Sequence, residues 1–223
     1  MKHIIGKILT LGLLITALLS CSSNPTKDEI SQQNTQPTAV TTTNVANRTE
    51  KIKFKTEFGA DLFSLKQQAN GAKLVDGNDQ ELARIRENTP EKLKIENASE
   101  KVLGYVFREK SQWKLENSEE SQVLYTLKRQ NDGHYILEDG TNKEIYQIKL
   151  QNNGWEINAP DQSLLYHIRI RDGKTSLRGS SATTVFSTRS EISPIAFACF
   201  GLDVLTREQQ AALAYAVNLT GGK

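Results

Sequence analysis

The amino-acid sequence predicts a mostly β fold, a closed antiparallel meander barrel of about 12 to 14 strands around a hydrophobic C-terminal helix. Three observations predict it. A hairpin-like unit recurs along the chain, turn-forming residues link consecutive units, and one segment near the C-terminus is apolar on every side. The repeat is decisive, because a fixed period of this length indicates one structural unit copied many times.

The repeat is visible in two series of apolar residues that advance in steps of 20 to 22 residues. Within each unit apolar and polar residues alternate with period two, which predicts two strands joined by a turn. The first series precedes turns rich in Asp and Asn: Phe54, Leu74, Ile95, Leu115, Leu137, Ile157 and Leu177. The second series follows those turns, and we expect it to point into the core: Phe63, Ala83, Tyr105, Tyr125, Tyr146, Tyr166 and Phe186.

A meander of this length leaves two unpaired edges unless it closes, so a barrel is favoured over an open sheet. Such a barrel is wider than the roughly eight strands whose own side chains fill the interior, and something must plug it. The residues from Ile195 to Phe200 form an apolar run directly after Ser193 and Pro194, a helix-start signal. We therefore expect a hydrophobic helix threaded through the barrel.

A second, Ala-rich helix is predicted from Arg207 to about Asn218, because Thr206 and Gln209 have capping-box spacing. Together these features resemble the tubby C-terminal-like fold, which phospholipid scramblases and plant LURP-one-related proteins are similar to as well. The resemblance covers about residues 52 to 220 and implies the fold. It implies no site residue, because no tubby-type phosphoinositide signature, acidic metal loop or cysteine-rich run can be placed on this sequence.

Residues 1–20 have the organisation of a secretory signal peptide, with Lys2 and Lys7 before an apolar stretch from Ile8 to Leu19. That stretch is about 12 residues, whereas a membrane-spanning helix needs about 20. Its end, with Ser20 before Cys21, resembles the lipobox of bacterial lipoproteins. The resemblance implies cleavage after Ser20 and acyl chains such as palmitate on Cys21, and the alternative is an ordinary secretory signal with an incidental cysteine.

Residues 21–50 are predicted to be the lipidated cysteine and a flexible tether, and residues 51–223 the barrel domain with its C-terminal helices. By the usual sorting pattern, Ser22 favours a lipid-anchored protein of the outer membrane that faces the periplasm. Removing the signal takes two of the 28 Lys and Arg and none of the 26 Asp and Glu, so the charges then balance. Nucleic acid is therefore not an expected partner.

Residues that could support catalysis are not clustered in the sequence, and we expect neither an enzyme nor a cofactor. His134 and His167 are far apart and lack metal-ligand spacing, and no phosphate-loop, dinucleotide or nucleophile-elbow motif occurs. Cys199 falls in the apolar helix, where a buried core thiol is expected. Once Cys21 is acylated, Cys199 has no cysteine to pair with.

A cation stands three residues after each member of the second apolar series. An odd offset in a strand predicts that these side chains point outward at the end remote from the acid-rich turns. Two interpretations stay open, a solubilising surface and a basic rim that binds anionic lipid, lipopolysaccharide phosphates or an acidic protein. The seven are Lys66, Arg86, Arg108, Lys128, Lys149, Arg169 and Arg189.

The expected function is therefore an envelope lipoprotein that binds phospholipid or another anionic ligand through this rim. The alternative is a structural or assembly partner that docks to an envelope protein complex.

The lipid anchor can be tested with the two cysteines of the chain. In a bacterial host that is fed a labelled palmitate analogue, Cys21→Ser should abolish incorporation of the label, because its acceptor thiol is gone. Cys199→Ser is the matched control and should keep the label. Equal labelling of the two variants would contradict the lipobox interpretation.

Overall fold

The computed structural model describes residues 50–220, in which fourteen antiparallel strands close into one barrel. Strand order follows chain order and the last strand pairs with the first, so the predicted meander barrel is confirmed. The predicted signal peptide, Cys21 and the tether as far as residue 49 lie outside the described residues. The strands are β1 Lys51–Lys55, β2 Asp61–Gln68, β3 Gly71–Asp76, β4 Glu81–Thr89, β5 Lys92–Asn97, β6 Val102–Glu109, β7 Gln112–Glu116, β8 Val123–Arg129, β9 Tyr135–Asp139, β10 Glu144–Gln151, β11 Gly154–Asn158, β12 Leu164–Arg171, β13 Lys174–Gly179 and β14 Thr184–Thr188.

One end of the barrel, here called the Asx end, carries a repeated turn. The side chains of Asp76, Asn97 and Asp139 each accept hydrogen bonds from backbone N–H groups two and four residues later. Asx side chains stabilise turns in this way. Each of six turns at this end also holds one non-glycine residue at positive φ: Asp79, Glu100, Glu120, Asn142, Gln162 and Ala182. At the opposite end, five of the six links between consecutive strands have two residues, and the link between β8 and β9 has five.

Two helices fill the interior, α1 Pro194–Cys199 and α2 Arg207–Leu219. Both predicted starts are confirmed: Pro194 follows the Ser193 cap, and Thr206 and Gln209 form a capping box. The backbone N–H of Ser193 donates to Asn218 Oδ1 at 3.1 Å, so the two helices run antiparallel. The plug is therefore a helical hairpin rather than one threaded helix, and α2 is its longer, Ala-rich arm.

Phenylalanine side chains join this hairpin to the closing strands. Phe54 of β1 lies 4.4 Å from Phe63 of β2 and 4.5 Å from Phe200, measured between ring centroids. Phe186 of β14 lies 5.3 Å from Phe197 of α1. All five rings are buried, and such contacts add to the stabilisation from burying apolar area.

The Asx end is closed by the connection between the helices. Tyr125 and Tyr146 point inward, and their hydroxyls bond the carbonyl of Val204 and the carboxylate of Asp203. Burial and the neighbouring Asp203 raise the pKa of Tyr146, so this phenol stays a donor. A Cβ on Gly201 would lie 2.9 Å from Ile157 Cδ1, which shows how closely the connection approaches the wall.

The core departs from the sequence prediction at Tyr105. Ile95 of β5 pairs with Gly104 rather than Tyr105, so the glycine occupies the inward position of that repeat. A Cβ on Gly104 would meet the Glu116 carbonyl at 2.4 Å, which explains why a residue without a side chain stands there. Tyr105 faces outward, and the Lys92 ammonium lies over its ring, with Nζ 4.2 Å from the ring centroid.

The barrel closes with a short seam. β1 and β14 share one register pair, Lys55 with Ser187, whereas every other neighbouring pair of strands shares four to six. The core formed by the described residues runs from Ile52 to Val217. Among residues 50–220 no helix has the length and apolarity needed to cross a bilayer.

A pair of phenylalanine substitutions tests the plug. Phe197→Ala should lower the free energy of unfolding by about 3–5 kcal/mol, because it leaves a cavity where α1 meets the closing strands. Phe58→Ala is the matched control: Phe58 is 96% exposed and its loss should change stability by less than about 0.5 kcal/mol. Urea denaturation followed by circular dichroism measures both, and equal midpoints would rule out this role for α1.

Candidate anionic-ligand interface

The structure places six of the seven predicted cations on the outer face of the barrel and one on the inner face. Lys66, Arg86, Lys128, Lys149, Arg169 and Arg189 point outward as predicted, since their strand neighbours at odd offsets are buried. Arg108 is the exception, and the prediction for it is wrong. It pairs in register with the buried Trp113, so its side chain lies on the inner face.

The error at Arg108 has the same origin as the error at Tyr105. In that repeat the three residues were counted from Tyr105, which itself points outward. The odd offset therefore places Arg108 on the inner face, at the end of the barrel. There the Arg108 guanidinium lies 3.0 Å from Glu87 and only 11% of its side chain is exposed. It also donates to the carbonyl of Pro90. Arg108 therefore fastens the links at the end opposite the Asx end.

Three of the outward cations are neutralised by carboxylates. Lys66 lies 3.2 Å from Asp79, Arg86 3.2 Å from Glu96 and Lys128 2.5 Å from Glu138. Lys149 donates to the amide oxygen of Gln162 at 2.9 Å. The side chains of Lys66, Arg86 and Lys128 thus reach acids of neighbouring strands and turns, so these three charges are balanced locally.

Positive charge is left unbalanced over the strands next to the seam. A surface groove of about 500 Å³ lies there, and we call it the basic groove. Five of its lining residues are cations, and two are acids. They are Arg169, Arg171, Lys174, Arg178 and Arg189, with Glu57 and Asp172; Ser176 and Thr184 complete the lining.

Strand register organises the floor of the basic groove and of a second groove beside it, which Lys55 and the largely buried Ser187 line. Arg169 of β12 pairs with Ser176 of β13, Ser176 with Ser187 of β14, and Ser187 with Lys55 of β1. Two hydroxyls thus stand between two cations in one row across four strands. At about 4.8 Å per strand the row is roughly 14 Å long. This second groove, of about 490 Å³, shares Glu57, Lys174 and Arg189 and continues over β1.

The cations of the groove differ in how far they are neutralised. Among residues 50–220, Arg169, Lys174 and Arg178 form no ion pair within 4.0 Å. Arg171 lies 3.4 Å from Asp172, with both side chains almost fully exposed.

The edges of the row are held by local contacts. Arg189 donates to the carbonyl of Asp172 at 3.0 Å. Lys55 lies 2.9 Å from Asp61, and its hydrogen bond lowers the pKa of that carboxyl. These contacts orient Arg189 and Lys55 but leave the centre of the groove positive.

This arrangement can bind an anion, because guanidinium groups and hydroxyls donate to phosphate, sulfate and carboxylate oxygens. His167, in register with Arg178, has a buried Nε2 without a hydrogen-bond partner among the described residues. His134 pairs with Asp132 at 2.8 Å elsewhere. Residues 50–220 hold no group of three or more His, Cys, Asp or Glu side chains that could bind a metal ion.

Cys199 lies at the centre of the core. Its thiol is fully buried and donates to the Ile195 carbonyl at 3.3 Å. Burial raises the pKa of this thiol, so the reactive thiolate is suppressed.

The sequence prediction missed six residues of this surface: Lys55, Arg171, Lys174, Ser176, Arg178 and Ser187. A period-two signal was present, since Lys51, Lys53 and Lys55 alternate with Ile52 and Phe54, and Arg169 and Arg171 flank Ile170. That signal shows which residues face outward. It does not show that the first strand lies beside the last, which is what joins these residues into one surface.

Comparisons with known proteins assign no family. No family model and no curated protein matches the chain. A crystal structure of a protein from Arabidopsis thaliana is similar at 15% identity, covering 70% of this chain and 90% of that one, with a TM-score of 0.39.

Arg108 on the inner face and Arg169 on the outer face should differ in how much their replacement lowers the free energy of unfolding. Arg108→Gln should lower the free energy of unfolding by about 1–2 kcal/mol, because it removes a largely buried, charge-assisted contact. Arg169→Gln should change it by less than about 0.5 kcal/mol, since that side chain is exposed and forms no ion pair with the residues that the structure describes. Chemical denaturation of the two variants checks the placement, and the reverse order of stabilities would refute it.

Proposed function

We propose that this protein is a non-enzymatic, membrane-anchored lipoprotein of the bacterial envelope whose barrel binds phosphate-bearing anions in the basic groove, with phospholipid headgroups as the ligand. The juxtaposition of Ser176 and Arg169 on the floor of the basic groove carries the proposal. Hydroxyl and guanidinium donors at neighbouring positions match the several acceptor oxygens of a phosphate group. Arg178 and Lys174, which have no ion pair among the described residues, supply further charge beside the row.

The location of the groove supports a planar anionic surface as its ligand. The groove lies on the outside of the barrel and is open to solvent, so a headgroup can enter without any opening of the wall. Each cation near an anionic membrane contributes about 1 kcal/mol, and five line this groove. Lipid on Cys21, which the sequence predicts, would keep the domain beside such a surface.

Docking to an envelope protein is the second candidate, and the same groove supports it only if the partner surface is acidic. The two candidates differ in what the isolated chain does. A lipid-binding groove works on protein-free vesicles, whereas a docking surface for a protein does not.

Sedimentation with vesicles tests the proposal, using the chain from Ser22 onward so that neither signal nor lipid contributes. Vesicles of phosphatidylglycerol and phosphatidylcholine should bind it, and pure phosphatidylcholine should not. Arg169→Glu with Arg178→Glu should weaken binding by about 30-fold or more, because two contributions of about 1 kcal/mol are lost and repulsion is added. Raising the salt concentration should weaken binding further.

The matched control is Lys101→Glu with Lys110→Glu, which makes the same change in net charge at exposed positions outside both grooves. This control should bind within a few-fold of the unchanged chain. If both double variants lose affinity equally, net charge rather than the groove is responsible and the proposal fails.

A further inference from the structure

The inner wall of the barrel is uncovered over part of the end opposite the Asx end. Along β10, Ile148 is fully buried, whereas Leu150, two residues further on the same face, is 59% exposed. Along β12 the same step from Ile168 to Ile170 goes from 0% to 58%. Two neighbouring hairpins therefore show the same abrupt end of the packed core, while the inward residues beyond it remain apolar.

The position of the helices explains this gap. α2 packs against β3 to β7, so its C-terminal part covers that half of the opening. α1 spans six residues, which is about 9 Å of helix. A fourteen-stranded barrel is wider than this hairpin, and the uncovered half lies over β9 to β12.

The uncovered half contains a pocket of about 390 Å³, here called the apolar cup. Tyr135, Leu150 and Trp155 form its apolar part, on three consecutive strands in which Leu150 and Trp155 are direct cross-strand neighbours. The ring centroids of Tyr135 and Trp155 are 6.3 Å apart. Arg129, Asp132, Gly133 and His134 complete the lining from one side. An apolar pocket of about 300–1,000 Å³ with a few polar groups at one side is the usual form of a small-molecule site.

On the polar side of the apolar cup, one charged group forms no ion pair with any residue from 50 to 220. Asp132 accepts from the backbone N–H of His134 at 3.1 Å and lies 2.8 Å from its Nδ1. The backbone hydrogen bond is the main reason why the pKa of Asp132 is lowered. Arg129, in contrast, forms no ion pair within residues 50–220. A cation therefore stands at the edge of an exposed apolar surface.

We propose that the apolar cup binds a single-chain amphiphile with a carboxylate head, a fatty-acid-type ligand. Its chain packs on Leu150 and Trp155, which lie over the buried Tyr135, and its carboxylate pairs with Arg129. The complementarity has two parts: apolar area that the fold leaves exposed, and beside it one cation with no ion pair in the described part of the chain. The site is separate from the basic groove and does not depend on the proposed function.

Tryptophan fluorescence of the chain from Ser22 onward tests this site, because the protein has two tryptophans and one lines the apolar cup. In a Trp113→Phe background, Trp155 is the reporter. Decanoate below its micelle concentration should give a saturable blue shift. Decanol should bind at least tenfold more weakly, and decyltrimethylammonium should give no saturable shift.

Single substitutions test the charged part and the apolar part of the apolar cup separately. Arg129→Gln should weaken decanoate at least tenfold without changing decanol, and Leu150→Asp should abolish both shifts. Circular dichroism and the melting temperature show whether each variant is folded. Arg171→Gln, a cation of the basic groove, is the matched control and should bind decanoate normally.

The proposal is overturned if decanoate gives no saturable shift, if Leu150→Asp leaves the shift in place, or if decanol and decyltrimethylammonium bind as well as decanoate. Vesicle sedimentation of Arg129→Gln keeps the two sites distinguishable. It should match the unchanged chain, so failure at the apolar cup leaves the basic groove untouched, and loss of vesicle binding by the groove variants leaves decanoate binding intact.

Discussion

Packing of the helical hairpin inside the strands is the contact on which the rest of the structure depends. Fourteen strands enclose more space than their own inward side chains can fill, and β1 meets β14 through a single register pair. The five phenylalanines on β1, β2, β14 and around α1 supply from the inside the cohesion that the seam lacks in backbone pairing. The hairpin thus sets both the closure of the wall and the places where the wall is left uncovered.

The distribution of charge follows from this closure. Over much of the barrel, long cationic side chains meet carboxylates of adjacent strands or turns, as Lys66 meets Asp79. Where the first and last strands come together, the two lysine- and arginine-rich outer faces become neighbours and too few acids lie between them. A chain with nearly balanced charge therefore presents one locally basic surface. That surface and the apolar cup are consequences of the same geometry, one outside the wall and one inside it.

Most of the fold could be predicted from the sequence, because period-two alternation, Asx turns and helix caps are local signals. The inward residue of the third repeat could not be predicted. Gly104 occupies that position without an apolar side chain, and the adjacent Tyr105 fits the spacing of the series instead. That slip of one residue placed Arg108 on the wrong face. The candidate site was only partly predictable, because Ser187 and Lys55 become neighbours solely through closure of the barrel. Ion pairing with acids of other strands likewise depends on which strands are adjacent.

The short seam also has a mechanical meaning. A pull on the chain ahead of Glu50 enters the barrel through β1, which five register pairs join to β2 and one joins to β14. Tension is therefore passed to one neighbour rather than shared between two. Phe54, whose ring contacts both Phe63 and Phe200, is the point where that tension reaches the helices. Under load β1, the first strand after the proposed membrane attachment in the sequence, is also the strand whose release would open the wall.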